Sequence, residues 1–273
     1  MYGLLCWEHM KTDLIQLPLY WLSTLSLEPR SPWNIVKVAF GKNNTNHQVI
    51  NNDTLKIFYP SGSYSPSKLP QGGVGFFASP KNVFMSEEVI LRYEIFWNDT
   101  FNPVLGGKLP GLFLGKGTRA QNTQGASGGK YNANSASVRM AWRKESSSGV
   151  PGEAYVYLPK GLQTEAYYKS PSLIENGVYG DSLWRGLFTF YKGVWNNVTM
   201  RVKLNQIHKS DGELEVAVNG ARSIMDHLVW RTSSDVLVNA IIFETFFGGS
   251  SIKYATPTDT WSYFRNVYVQ SLR

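Results

Sequence analysis

Short apolar or alternating runs recur along the whole chain between clusters of Gly, Pro, Asn and Ser, and no long segment keeps a helical period. This pattern points to an all-β fold. Candidate strands cover residues 55–59, 89–97, 135–143, 154–158, 195–204, 214–218, 238–247 and 262–269. Their number and spacing predict two packed antiparallel sheets. At 273 residues the chain is long for one domain, yet sandwiches and barrels fill such a length as one. We therefore expect a single domain over 1–273, with a β core over 55–273 and an N-terminal segment, 1–54, that carries no usable pattern. Breakers concentrate at 28–52, 60–75, 115–134 and 144–152, none of which reads as an interdomain linker. The stretch 115–134 is long enough to suggest a functional or mobile loop.

Composition narrows the partners. Hydrophobic residues make up 42% and charged residues 17%, which implies a packed core rather than disorder. No apolar run reaches the roughly 18 residues a membrane span needs, since Glu8, Lys11 and Asp13 interrupt the Leu-rich opening. No membrane partner is expected. Lys and Arg outnumber Asp and Glu by 27 to 20, which suits an anionic partner. The basic residues are scattered, with no block of the kind nucleic-acid binders carry, so nucleic acid is not expected. Cys6 is the only cysteine, which excludes an intrachain disulfide and a paired-cysteine zinc site. Residues 1–21 lack the pattern of a signal peptide. Sequons at Asn43, Asn52, Asn98 and Asn197 nonetheless fit a secreted or extracellular protein.

Strand parity supplies the first hint of a site. Along 135–143, Ser135, Ser137, Arg139 and Arg143 share one face, while Val138, Met140 and Trp142 share the other. In 154–158, Tyr155 and Tyr157 stand together opposite Ala154, Val156 and Leu158. Two neighbouring strands can thus line a cleft with serine, arginine and paired tyrosines. Gly106-Gly-Lys-Leu-Pro-Gly111 adds Lys108 in a Gly/Pro-punctuated segment, which is also how a plain turn with a solvated lysine reads. It is not a phosphate-binding loop, because Leu109 follows the lysine where Ser or Thr is required.

Other chemistries find little support. His9, His47, His208 and His227 have no metal-ligand spacing, so neither metal nor cofactor is expected. No Gly-x-Ser-x-Gly elbow marks a serine hydrolase. Glu213 and Glu215 share one strand face, but Asp211-Gly212 and Asn219-Gly220 frame them as an exposed hairpin strand rather than a glycosidase acid pair.

Taken together, Gly-Gly-Lys-Leu-Pro-Gly at 106–111, Ser-Val-Arg-Met-Ala-Trp-Arg at 137–143 and Tyr-Val-Tyr-Leu-Pro at 155–159 resemble polysaccharide lyase family 14, the alginate and glucuronate lyases of algal viruses and marine molluscs. Phe246-Phe-Gly-Gly-Ser250 and the aromatic stretch 261–268 add to the resemblance, which spans roughly 55–270. It implies a concanavalin-like β-jelly roll whose cleft carries Lys108, Ser137, Arg139, Tyr155 and Tyr157 as catalytic residues. Arg143 is the expected substrate-binding residue. The intervals from Lys108 to Ser137 and from Arg139 to Tyr155 are longer than the family leads one to expect, so extra residues such as 146–149 could reshape the cleft.

The implied reaction is cleavage of a 4-linked polyuronate, alginate or glucuronan, by β-elimination, performed by a monomer. Removing the C5 proton requires cations to blunt the neighbouring carboxylate, a task for Arg139 and Lys108. A tyrosine made more acidic by those cations would act as base and return the proton to O4, with Ser137 orienting substrate or tyrosine. In mannuronate and glucuronate the C5 proton and O4 lie on one side of the ring, so a single tyrosine suffices. The rival expectation is a non-catalytic jelly roll that binds anionic glycans through the same cleft.

Overall fold

In a computed structural model of the chain, which describes residues 14–23, 25, 27, 31–41, 46–81, 83, 85–117 and 125–272, the alternation is realised as two antiparallel sheets. Cys6, His9 and the Asn43 sequon lie outside the described residues. The strands, in chain order, are β1 (Ile15–Gln16), β2 (Ile35–Phe40), β3 (His47–Ile50), β4 (Thr54–Tyr59), β5 (Val74–Ala78), β6 (Glu88–Trp97), β7 (Gly106–Lys116), β8 (Ser135–Arg143), β9 (Val150–Tyr157), β10 (Leu173–Ile174), β11 (Asp181–Phe190), β12 (Trp195–Lys203), β13 (Gly212–Val218), β14 (Ala221–Leu228), β15 (Val236–Phe247) and β16 (Thr260–Leu272). The only α-helix among the described residues is one turn, α1 (Glu165–Tyr168).

The first sheet runs β14-β13-β12-β6-β16-β4-β3, with β1 paired to β16, and the second runs β10-β11-β9-β8-β7-β15-β5-β2. Their facing sides form the core, because apolar residues at alternate positions point inward: Leu91, Tyr93 and Ile95 from β6 meet Val138, Met140 and Trp142 from β8. The Tyr59 hydroxyl spans the two layers, bonded to Thr245 of β15 at 2.5 Å and to Ser262 of β16 at 2.6 Å. A second apolar cluster, including Phe77, Phe113, Ala141 and Ile242, lies on the opposite face of the second sheet. This face becomes the floor of the site.

All eight expected strands form. Several more were not legible, and β1, β2 and β3 extend the sheets into the segment before residue 55. The consequential difference is β7. Gly106–Gly111 is not a turn but the first half of an interior strand of the second sheet, paired on both sides. Pro110, which has no amide hydrogen to donate, falls where the pairing slips: Lys108 opposes Ala141 and the next matched pair is Gly111 with Arg139. Glycine is required around this slip. A Cβ on Gly107 would sit 2.0 Å from the Trp142 indole, and one on Gly111 would sit 1.9 Å from the Val138 carbonyl oxygen.

Candidate active site

The second sheet's outer face and three surrounding loops enclose a cleft of about 700 Å³. Its floor carries Lys108 from β7, Arg139 and Arg143 from β8, Tyr155 and Tyr157 from β9, and Phe246 from β15. Its walls come from segments 64–68, 174–179 and 248–254. Lys68 and Arg185 add further cations, and none of the residues lining the cleft is Asp or Glu. Gly249 lets the Phe-Phe-Gly-Gly-Ser segment close against Tyr254, whose ring would lie 2.1 Å from any Cβ there.

Two buried carboxylates hold the arginines from behind. Arg139 Nη1 donates to Glu244 Oε2 at 2.5 Å, reaching from β8 across β7 to β15. Glu153, fully buried on β9, accepts from Arg143, from Arg185 Nε at 2.6 Å and from the Ser182 hydroxyl at 2.9 Å. Burial alone pushes the Glu153 carboxyl up, but the hydrogen bond and charge of Arg143, then Arg185 and Lys108, outweigh it and hold the group below the usual carboxylate range. Each guanidinium is thereby oriented, yet the Nε–H of both Arg139 and Arg143 is buried with no partner in the protein. Such a donor is costly unless something else satisfies it.

Lys108 lies between these arginines with its ammonium 4.0 Å from the centroid of the Tyr155 ring. Although the residue is only half-buried as a whole, its amine is pushed down to about 7, first by burial and then by the Arg143 and Arg139 charges, against the opposing pull of Glu153 and Glu244. The Tyr155 phenol moves the other way. Burial, then the neighbouring Tyr157, raises Tyr155 despite Arg139 and Arg143, so the expectation of a more acidic tyrosine fails for this residue. The Tyr155 and Tyr157 rings meet edge-on at 5.8 Å.

Part of the 115–134 loop covers the tyrosines. Gly129 N–H donates to the Tyr157 hydroxyl at 2.9 Å, and the Tyr131 ring packs 4.9 Å from Tyr157. Ser137 secures this loop rather than facing the cleft. It is fully buried, does not line the cavity, and donates to the Ala126 carbonyl at 2.6 Å. Five of the six residues singled out from sequence thus meet in the cleft, and Ser137 stands behind them. The hairpin residues 146–149 are not among those lining it. The Glu213–Glu215 pair lies on the other sheet, engaged by Arg201, Lys203 and Arg222. No group of three or more His, Cys, Asp or Glu among the described residues is arranged to hold a metal ion.

Sequence reasoning missed Glu153, Ser182, Arg185 and Glu244. Glu153 shares parity with Tyr155 and Tyr157, and Glu244 is the one charge inside an apolar run, 240–247; both signals were readable, since a lone charge in such a run is seldom buried unpaired. Ser182 and Arg185 sit on β11, which carries no clear alternation.

The family model described as "Polysaccharide lyase 14" matches residues 47–267. The crystal structure of a marine alginate lyase of that family from Aplysia kurodai superposes with a TM-score of 0.80 at 29% identity, covering 95% of this chain and 99% of the other. An alginate lyase from Chlorella virus superposes with a TM-score of 0.76 at 25% identity, covering 95% of this chain and all of the other. Exolysin of Paramecium bursaria Chlorella virus 1 is 28% identical over 176 residues, covering 60% of this chain. That match spans about a quarter, 26%, of the viral protein's length.

Proposed function

The chain belongs to the polysaccharide lyase 14 family, and from that premise we propose that it depolymerises a 4-linked polyuronate by β-elimination. The observation that carries this reading is Lys108: an amine pushed down to about 7, against Tyr155, in a cleft lined by cations and by no carboxylate. At neutral pH a large fraction of Lys108 is the free amine, poised as a general base. It takes the C5 proton of the uronate. The developing enolate charge falls on the substrate carboxylate, where the cleft guanidiniums of Arg139 and Arg143 stabilise it. The C4–O4 bond then breaks, a C4=C5 double bond forms, and a cleft tyrosine, protonated because burial keeps its pKa high, donates its proton to the leaving O4.

This division of labour replaces a single tyrosine serving as both base and acid. Because Lys108 and Tyr155 are in contact, base and acid address one side of the sugar ring. Mannuronate and glucuronate present the C5 proton and O4 on one side, whereas guluronate presents them on opposite sides. A pure binding module has no use for a lysine that surrenders its charge near neutrality, so the same residue favours catalysis over passive glycan binding. Parallel assays on polymannuronate, glucuronan and polyguluronate test the reading. Product with ultraviolet absorbance should accumulate from the first two and barely from the third; equal rates on polyguluronate would contradict the shared-face geometry.

A further inference from the structure

The outer face of the first sheet, remote from the β7–β9 cleft, is divided along the strands. Toward one end it is covered by ion pairs, Arg201 with Glu88 and Glu213, and Arg222 with Glu215. Toward the other end the same face carries aromatic rings. Phe58 of β4 stacks on Trp261 of β16 at 5.3 Å, and Tyr263, two residues along β16, meets Phe96 of β6 at 5.8 Å. Phe96 in turn meets Trp195 of β12 at 5.5 Å. The five rings cross four adjacent strands, and every one is half-buried, so each keeps part of its surface open to solvent.

Cations are set into this line. The Lys56 ammonium lies 5.0 Å from the Trp261 centroid and 5.9 Å from Tyr263, joining the Phe58–Trp261 pair to the run of three rings, and among the described residues it has no salt-bridge partner. Arg265 lies over Trp195 at 4.1 Å while paired with Glu94. Where Phe58 and Trp261 meet the sheet edge, a groove of about 180 Å³ opens, lined also by Asn46, His47 and Gln48, of which Gln48 shares the face of Lys56.

We propose that this stripe is a second, non-catalytic binding site for an acidic polysaccharide chain. A contiguous exposed aromatic patch marks an interaction surface. Neighbouring rings lie 5.3 to 5.8 Å apart, on the scale of successive pyranose units. Aromatic faces take the apolar side of a sugar, Lys56 takes a carboxylate, and the Gln48 amide takes hydroxyls. The site would hold the polymer to the enzyme while the cleft works on another stretch. The choice of ligand rests on the polyuronate reading above.

The test separates the two surfaces. Turnover of a short oligomannuronate reports the cleft alone. Binding of polymannuronate to the Lys108→Ala protein, followed by affinity electrophoresis, reports retention of the polymer without cleavage. Trp261→Ala in that background should weaken polymer binding about tenfold, on the scale of one lost aromatic contact, and in the otherwise native chain it should leave oligomannuronate turnover unchanged. Lys56→Gln, which keeps every ring in place, should weaken polymer binding in the same direction even if Trp261→Ala proves unstable. Unchanged polymer binding in both variants overturns the stripe, as does a Trp261→Ala change in sedimentation mass, which would make the face a contact between copies. Absence of oligomannuronate turnover in the native protein would indict the cleft reading instead.

Discussion

The Lys108 ammonium of β7 lies 4.0 Å from the centroid of the Tyr155 ring of β9, reaching across β8 on the same cleft floor. A charged lysine over an aromatic face is ordinarily stabilised. Here burial and two flanking arginines dominate instead, and the amine titrates at about 7. The pair therefore brings an available base and a protonated phenol to a single face of the substrate.

The first consequence is a pH profile. If free Lys108 amine is the reactive form, kcat/KM on soluble polymannuronate should climb as pH rises through about 7. A rate that stays flat from pH 6 to 8, with the fold intact, would contradict a lysine base.

The second consequence is a stability trade. A lysine whose folded pKa is depressed destabilises the fold wherever it must stay charged, so its penalty is complete below about 7 and fades as pH rises toward the ordinary lysine range, where the unfolded chain holds more protons. Lys108→Met should lose turnover by about 10²-fold or more. It should also melt above the native protein at pH 6, with the gap narrowing as pH rises above 7. Equal melting temperatures at pH 6 would show that the ammonium is not penalised in the folded cleft.

Replacing either tyrosine with Phe keeps the ring and removes the acid. The residue that protonates O4 should lose about 10²-fold in turnover with little change in melting. Tyr157→Phe additionally deprives Gly129 N–H of its acceptor, so it should loosen the covering loop and raise KM. Amide exchange at Gly129 checks this directly. Near-native turnover in both variants would rule out a phenolic acid.

How much of this was legible in the chain follows from where the period-2 signal is strong. Val138, Met140 and Trp142 alternate cleanly against Ser137, Arg139 and Arg143, and the structure keeps both faces as read. The local sequence around Lys108 is open between a cleft segment and a plain turn. Pro110 and three glycines imitate a turn, and only the packed Trp142 indole and the slipped pairing beside Arg139 explain why a strand needs them. Glu244 reaches Arg139 across an intervening strand, a contact separated by about a hundred residues that no local pattern encodes. Ser137 shows the limit of parity: its face was right, but the loop that closes over it decides that its hydroxyl serves Ala126.

The Arg139–Glu244 pair yields a prediction of its own. Both side chains are nearly inaccessible, so Glu244→Gln leaves a buried guanidinium without a counter-charge and should destabilise by on the order of 3 kcal/mol. Adding Arg139→Met to that variant should recover much of the loss in melting temperature while activity stays abolished. If the single and double variants melt alike, the ion pair does not organise the floor of the cleft.

The central claim is elimination within a cation-lined cleft, and the most direct measurement follows one digest of polymannuronate by two signals at once: new reducing ends and ultraviolet absorbance of the C4=C5 unsaturated uronate. The two should rise together, one unsaturated end for each bond cleaved, and both should vanish in Lys108→Met. Reducing ends that accumulate without absorbance would mean hydrolysis, and would contradict the mechanism built on Lys108 and Tyr155.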